Sequence, residues 1–272
     1  MTYEEGGERE KGWYALLTSD TQSQKSTVIS TLETDEAFYE DIVDYFSLLT
    51  DKKIKNRSLA LDRIQQCLLR NVQQDVFLKH ADSLCTDLLS YIRKEKPVEV
   101  AISSCRILAL LQISLALDTS VTYDIAYPVL LQRLRSSKSV PLLIECFRTA
   151  SIILFVCDAR DEDVLDLLSL LSDRISSSST DPALAATAID MWMFLSSTRS
   201  RHEVLAALPS MVTWVSAKLS QQSVAIRIAA SKCLAFLREL HLSVARTAGM
   251  ACRRGRRRCR RRGRSKNAWK PR

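Results

Sequence analysis

Nine arginines crowd one short stretch near the end of the chain: Arg253, Arg254, Arg256, Arg257, Arg258, Arg260, Arg261, Arg262 and Arg264, interrupted by Gly255, Cys259 and Gly263. Guanidinium groups pair with phosphate oxygens and displace condensed counterions, so this spacing carries nucleic-acid, ribosome or nuclear-import chemistry. The same stretch has too little apolar content to pack and too much like charge to compact, which predicts a disordered tail over 241–272. An abrupt change into arginine and glycine is also what translated intron or out-of-frame sequence produces, so an aberrant or truncated C-terminus stands beside the functional reading. Cys252 and Cys259 flank these arginines without a histidine nearby, and no metal site is expected there.

Catalytic chemistry finds less support. His80, His202 and His241 have no nucleophile motif beside them, and Asp161, Glu162 and Asp163 are accounted for as the acidic first turn of a helix. Three of the six glycines, Gly249, Gly255 and Gly263, fall in the tail, leaving no glycine-rich phosphate cradle. The expectation is a protein that is not an enzyme, with no cofactor and no small-molecule substrate.

Charge divides unevenly along the 272 residues. The whole chain carries +8, and the eleven arginines and two lysines from Arg246 to Arg272 carry +13, which leaves −5 for residues 1–245. The tail is strongly basic and the body mildly acidic.

The elements that must carry these residues repeat. Anchors at Ala60, Ala101, Leu143, Ala185 and Ala229 are separated by 41, 42, 42 and 44 residues. Positions +1, +4 and +7 from each anchor are apolar or small: Leu61, Ile64 and Cys67; Ile102, Cys105 and Leu108; Ile144, Phe147 and Ala150; Ala186, Ile189 and Trp192; Ala230, Cys233 and Phe236. At about 100° per residue these offsets fall within an arc of roughly 120°, the stripe of a core-facing helix. A second apolar set lies between them, including Phe38, Ile42, Phe46 and Leu49; Phe77, Leu84, Leu88 and Ile92; Ile125, Val129 and Leu134; Val164, Leu167 and Leu171; Val204, Met211 and Val215. Each repeat is thus an A helix followed by a B helix. The period predicts an all-α, right-handed HEAT/armadillo-like solenoid of about five helix pairs, in which no unit buries its apolar face alone.

Local signals mark the boundaries. Asp181 before Pro182 reads as a helix cap, and Pro97 and Pro141 sit at comparable starts. The runs Ile107 to Leu111 and Ile152 to Val156 are apolar nearly all round, which predicts B helices covered on more than one side. Trp192 is expected to pack into a neighbouring pair. Cys67, Cys105, Cys146 and Cys233 fall on B helices, with Cys85 and Cys157 isolated elsewhere. None forms a C-x-x-C pair, so they read as small buried hydrophobes in a reducing compartment. The N-terminus, with Glu4, Glu5, Glu8 and Glu10, has no apolar leader, and no run approaches the ~20 residues of a membrane span. The expected location is nucleus, cytoplasm or both, without secretion or membrane attachment.

One basic feature belongs to the body. Arg106 and Arg148 share offset +5 in successive B helices and, with Arg227 and Lys232, define a strip for partner binding. The simpler reading is isolated solvated charges whose stems lie along the core.

Three stretches, Phe38-Tyr39-Glu40-Asp41-Ile42, Lys55-Asn56-Arg57-Ser58-Leu59-Ala60-Leu61 and Ser223-Val224-Ala225-Ile226-Arg227-Ile228-Ala229-Ala230-Ser231-Lys232-Cys233-Leu234-Ala235-Phe236-Leu237, resemble the interferon-related developmental regulator family. The last is the most specific, with Ser231-Lys232 where the family usually has Gly-Glu. The resemblance spans roughly residues 36–240 and implies a non-catalytic regulator with an armadillo-like body. It implies transcriptional co-regulation through proteins of gene-regulatory complexes, or binding to inactive ribosomes through a C-terminal helical segment. After Leu240 that segment is replaced by the arginine-rich tail. The chain therefore divides into a disordered segment 1–34, a helical domain 35–240 and the tail. Its expected role is an interaction scaffold in gene-expression control, with an RNA- or ribosome-binding translational repressor as the alternative and an enzyme with an unrecognised site as a remoter one.

Overall fold

The computed structural model describes residues 42–70, 74–115 and 120–242; the segment 1–34 and the arginine-rich tail lie outside them. The regular elements among the described residues are all helices, joined by short turns, with no strand among them. In chain order the helices are α1 (Ile42–Leu48), α2 (Ile54–Leu69), α3 (Gln74–Lys94), α4 (Val98–Ser114), α5 (Ser120–Ser136), α6 (Val140–Val156), α7 (Asp161–Ser176), α8 (Pro182–Thr198) and α9 (Arg201–Lys218), with further helix, α10, over 224–242. Odd-numbered helices are the A members and even-numbered ones the B members. Within pairs, α1 packs on α2, α3 on α4, α5 on α6 and α7 on α8. Between pairs the B helices stack α2 on α4, α4 on α6 and α6 on α8, while α3 meets α5 and α7 meets α9. That is the solenoid the ~42-residue period requires.

Local chemistry sets the ends of the elements. Asp181 Oδ1 accepts from the Ala183 and Leu184 N–H groups at 2.9 and 3.2 Å, filling two donors that the first turn of α8 would otherwise leave open. Asp161, Glu162 and Asp163 open α7 against the positive end of its dipole. Pro128 in α5 and Pro209 in α9 interrupt the helical ladder, yet both sit on exposed faces, where water can take the released carbonyl. Glu95, between α3 and α4, holds φ at 61°, a strained value for a side chain with a Cβ. Its carboxylate is gripped from the next pair by Arg133 at 3.4 Å and by the Ser137 hydroxyl.

The five anchors are buried, from 0% exposure at Ala60, Ala101 and Ala185 to 4% at Leu143. Trp192 is 3% exposed, as its register demands. One expectation is corrected. Ile125 is exposed, and its place in the α5 core is taken by Tyr123, Ala126 and Tyr127. Those tyrosines are amphipathic: the rings pack while the hydroxyls reach Asp163, Tyr127 bonding its carbonyl at 2.9 Å and Tyr123 its carboxylate. The apolar run in α6 is covered on more than one side, as expected, by α4, α8 and α5, and still leaves one outward edge. Phe155 is 53% exposed, because the stacked B helices close only the flanks and inner side of α6.

Polar bonds between pairs span about one repeat. The Tyr91 hydroxyl of α3 donates to the Leu49 carbonyl after α1, under the Arg57 guanidinium of α2. Cys157 Sγ, at the end of α6, donates to Gln112 Oε1 of α4 at 3.2 Å. Lys218 Nζ donates to the Ser177 carbonyl at 2.7 Å. Each such bond satisfies a group that stacking would otherwise strip of water, where an unmade bond costs about 1–3 kcal/mol.

Candidate functional site

The B helices present one face to their neighbours and another outward. On α4 and α6, offset +5 from the anchors brings Arg106 and Arg148 to the edge of the outward face, as their shared position requires. Between them stands Glu145, 6% exposed and the sole acid in α6. Its Oε1 accepts from Arg106 Nη2 at 2.9 Å and from Arg148 Nη1 at 3.2 Å. The guanidinium side chains keep 49% and 44% of their surface, against 8% for the carboxylate. One buried acid thus pins two half-exposed bases, and the triad carries a net +1. Its carboxylate is shared within the protein, while both arginines keep further N–H donors for a visitor.

Seven residues beyond each arginine stands a large exposed apolar side chain, Ile113 after Arg106 and Phe155 after Arg148, both 53% exposed. Seven residues is nearly two full turns, so each pair shares one face of its helix. Phe155 meets Phe194 of α8 edge to face, with ring centroids 5.2 Å apart and planes at 67°. Leu110, Ile152 and Phe194, each at offset +9, are half-buried and continue the apolar surface from α4 to α8.

The remaining strip residues are placed differently. Arg227, in the first turn of α10, donates to the Gln221 and Gln222 carbonyls at 3.0 and 2.7 Å and so closes the turn after α9. Lys232 is exposed on α10. Arg106 and Arg148 are therefore brought together through Glu145, whereas Arg227 serves its own turn. The tail arginines from Arg253 to Arg264 lie outside the described residues.

Sequence reasoning missed Glu145. The signal was present: in the helix sequence VPLLIECFRTASIILFV the only charges are Glu145 and Arg148, three residues apart. An acid between Ile144 and Cys146 in so apolar a helix needs a partner, and the +5 arginine of the previous repeat is positioned to supply it.

Other polar clusters serve packing. Asp163 Oδ2 accepts from the Tyr123 hydroxyl and from Arg160 Nε at 2.9 Å, clamping α5 to α7. Burial, reinforced by the Asp163 charge, pushes the Tyr127 hydroxyl well above the usual phenol range. Cys105 and Cys146, side by side with Sγ atoms 3.8 Å apart, are both fully buried. The contact between the two sulfurs, with desolvation, raises the Cys105 thiol far above its ordinary value, so it stays protonated and unreactive. Among the described residues no group of three or more His, Cys, Asp or Glu side chains is placed to hold a metal ion. No described helix is long and apolar enough to cross a membrane.

The family model for the interferon-related developmental regulator (IFRD) proteins matches residues 15–251. The chain belongs to that family. In this interferon-related developmental regulator the match takes in every helix from α1 to α10 and stops two residues before Arg253. The Ser231-Lys232 departure from the usual Gly-Glu falls on the exposed side of α10 and leaves the buried Ala230 and Cys233 in register. Family membership makes this a regulator-type protein.

Proposed function

We propose that the chain is a non-catalytic interaction scaffold that controls gene expression as a transcriptional co-regulator, working in the nucleus or moving between nucleus and cytoplasm. The observation that carries this reading is the family match along the whole helical body. A stack of helix pairs with a basic-apolar outward face suits the holding of partner proteins, here those of gene-regulatory complexes. The test is to tether the full chain beside a promoter through a DNA-binding domain and read a reporter gene. The expected result is a change in output that a body destabilised at Trp192 no longer produces. Full-length, folded protein that leaves the reporter unchanged would overturn the reading.

A second reading is favoured by one observation, the nine arginines between Arg253 and Arg264. In it the chain engages RNA or the ribosome through its tail and acts as a translational repressor. Co-sedimentation with ribosomes that survives moderate salt and needs the tail would favour this reading over the first.

A further inference from the structure

We propose that the outward face of α4, α6 and α8 docks an amphipathic helix of a partner protein, one that carries a carboxylate about two turns from a pair of large apolar side chains. This deepens the scaffold reading and rests on it.

The charge comes first. Arg106 and Arg148 are held by the single carboxylate of Glu145, so the two guanidiniums are already ordered and the site keeps a net +1. An arginine fixed in place loses less freedom when it meets a second acid than one waving in solvent, which favours binding. The complement of such a site is one carboxylate, placed to accept from the donors that Glu145 leaves open.

The apolar half comes next. Ile113 and Phe155 each leave more than half their surface in water, next to the half-buried Leu110, Ile152 and Phe194. Each stands seven residues from its arginine, about 10.5 Å along the helix at a rise of ~1.5 Å per residue. A partner that satisfies both features therefore separates its acid from its apolar anchors by about 10 Å, the i to i+7 spacing of a helix. Phosphate recognition fits less well. Two arginines half-neutralised by a buried acid offer little counterion release, and exposed isoleucine and phenylalanine have nothing to gain from a phosphate backbone.

The test pans a displayed library of randomised 15-residue amphipathic helices against the full-length protein, then measures the enriched peptides by fluorescence polarisation. The expected consensus has Asp or Glu seven residues from large apolar positions. Arg148→Gln, which retains the Arg106–Glu145 pair, weakens that peptide about tenfold, and Ile113→Asp weakens it by a similar factor. Both sites are exposed enough that melting curves should match wild type, and each variant stands alone if the other fails to fold. No enrichment, a consensus without an acid, or affinities unchanged in both variants would overturn the proposal. So would a uridine oligonucleotide whose binding to the full chain is lost in Arg148→Gln and Ile113→Asp, which would assign the face to nucleic acid. The tethered reporter separates the two levels: a wild-type effect retained in both variants removes this face and leaves the scaffold reading. Peptide binding without any reporter effect does the reverse.

Discussion

Thr149 Oγ1 donates to the backbone carbonyl of Cys105 at 2.9 Å, so a side chain of α6 bonds directly to the main chain of α4. Both residues are buried, at 1% and 0% exposure. A carbonyl inside a helix already accepts one bond and has a lone pair to spare. Here the hydroxyl that takes it comes from the neighbouring helix, packed closely enough to exclude water. The bond fixes the axial register of two B helices, and the Glu145 triad depends on that register.

Glu145→Gln removes the charge that both arginines share and leaves the shape intact. Because Arg106 and Arg148 are half-exposed and can return to solvent, the cost should be modest, about 1–2 kcal/mol in denaturant unfolding. Raising the salt concentration should narrow the difference from wild type. A gap unaltered by salt would mean the triad acts through packing alone.

Trp192→Ala should be far more damaging. The ring is 3% exposed, between α8 and its neighbours, and its loss leaves a cavity that costs ~3–5 kcal/mol. An unchanged melting temperature would show that the B-helix register has been read wrongly.

Alkaline pH should destabilise the fold through its buried thiols. Burial raises Cys85 to about 11 and Cys233 to about 12, from an ordinary thiol value of 9.0. Above pH ~9 the unfolded chain gives up these protons and the folded one keeps them. The stability they contribute is complete below pH 9 and is lost as pH rises through the folded values. Lys218 acts in the opposite sense, since desolvation lowers its pKa and stability lost to its burial returns as pH climbs. The informative quantity is therefore the difference between wild type and Cys85→Ala/Cys233→Ala. The double variant should show a flatter fall in melting temperature between pH 9 and 11.

Deleting Arg246 to Arg272 should separate tail from body. If the nine arginines engage RNA, affinity of the full chain for single strands falls with salt at a log–log slope of about −0.7 per phosphate contacted. The truncated chain, with −5 over residues 1–245, should lose most of that affinity and keep its helical circular dichroism and melting transition. Tight binding by the truncated chain with an unchanged slope would refute the tail model.

Much of this architecture is legible in the residues because repetition amplifies a weak signal. A small side chain at Ala60 says little; small or apolar ones at five positions ~42 residues apart define a layer. Periodicity locates the centre of a buried arc and not its width. In α4 the buried set runs from Val100 to Gln112, wider than the predicted stripe, because a middle B helix is flanked by both neighbours as well as by its A helix. The arc is not uniform, though: Ile102 and Ile144 at +1 are only half-buried, while Ala230 at +1 is fully buried. The candidate site was half legible. Arg106 and Arg148 follow from their shared offset, but Glu145 lies outside the arc, and its role depends on a contact made across 39 residues. Ile125 was misplaced because tyrosine, apolar in its ring and polar at its tip, hides from a count of apolar residues.

The bonds between pairs have a temporal consequence. Leu49 to Tyr91, Cys105 to Thr149 and Ser177 to Lys218 are 42, 44 and 41 residues apart, so each joins only adjacent repeats. No such bond waits for the two ends of the body to meet, and loop closure never spans more than about one unit. As synthesis proceeds, every ~42 further residues complete a pair that can settle on the one before it. The growing edge of the stack, with its open carbonyls and apolar B face, is an adhesive surface that a half-made chain exposes, and it moves forward one helix pair at a time.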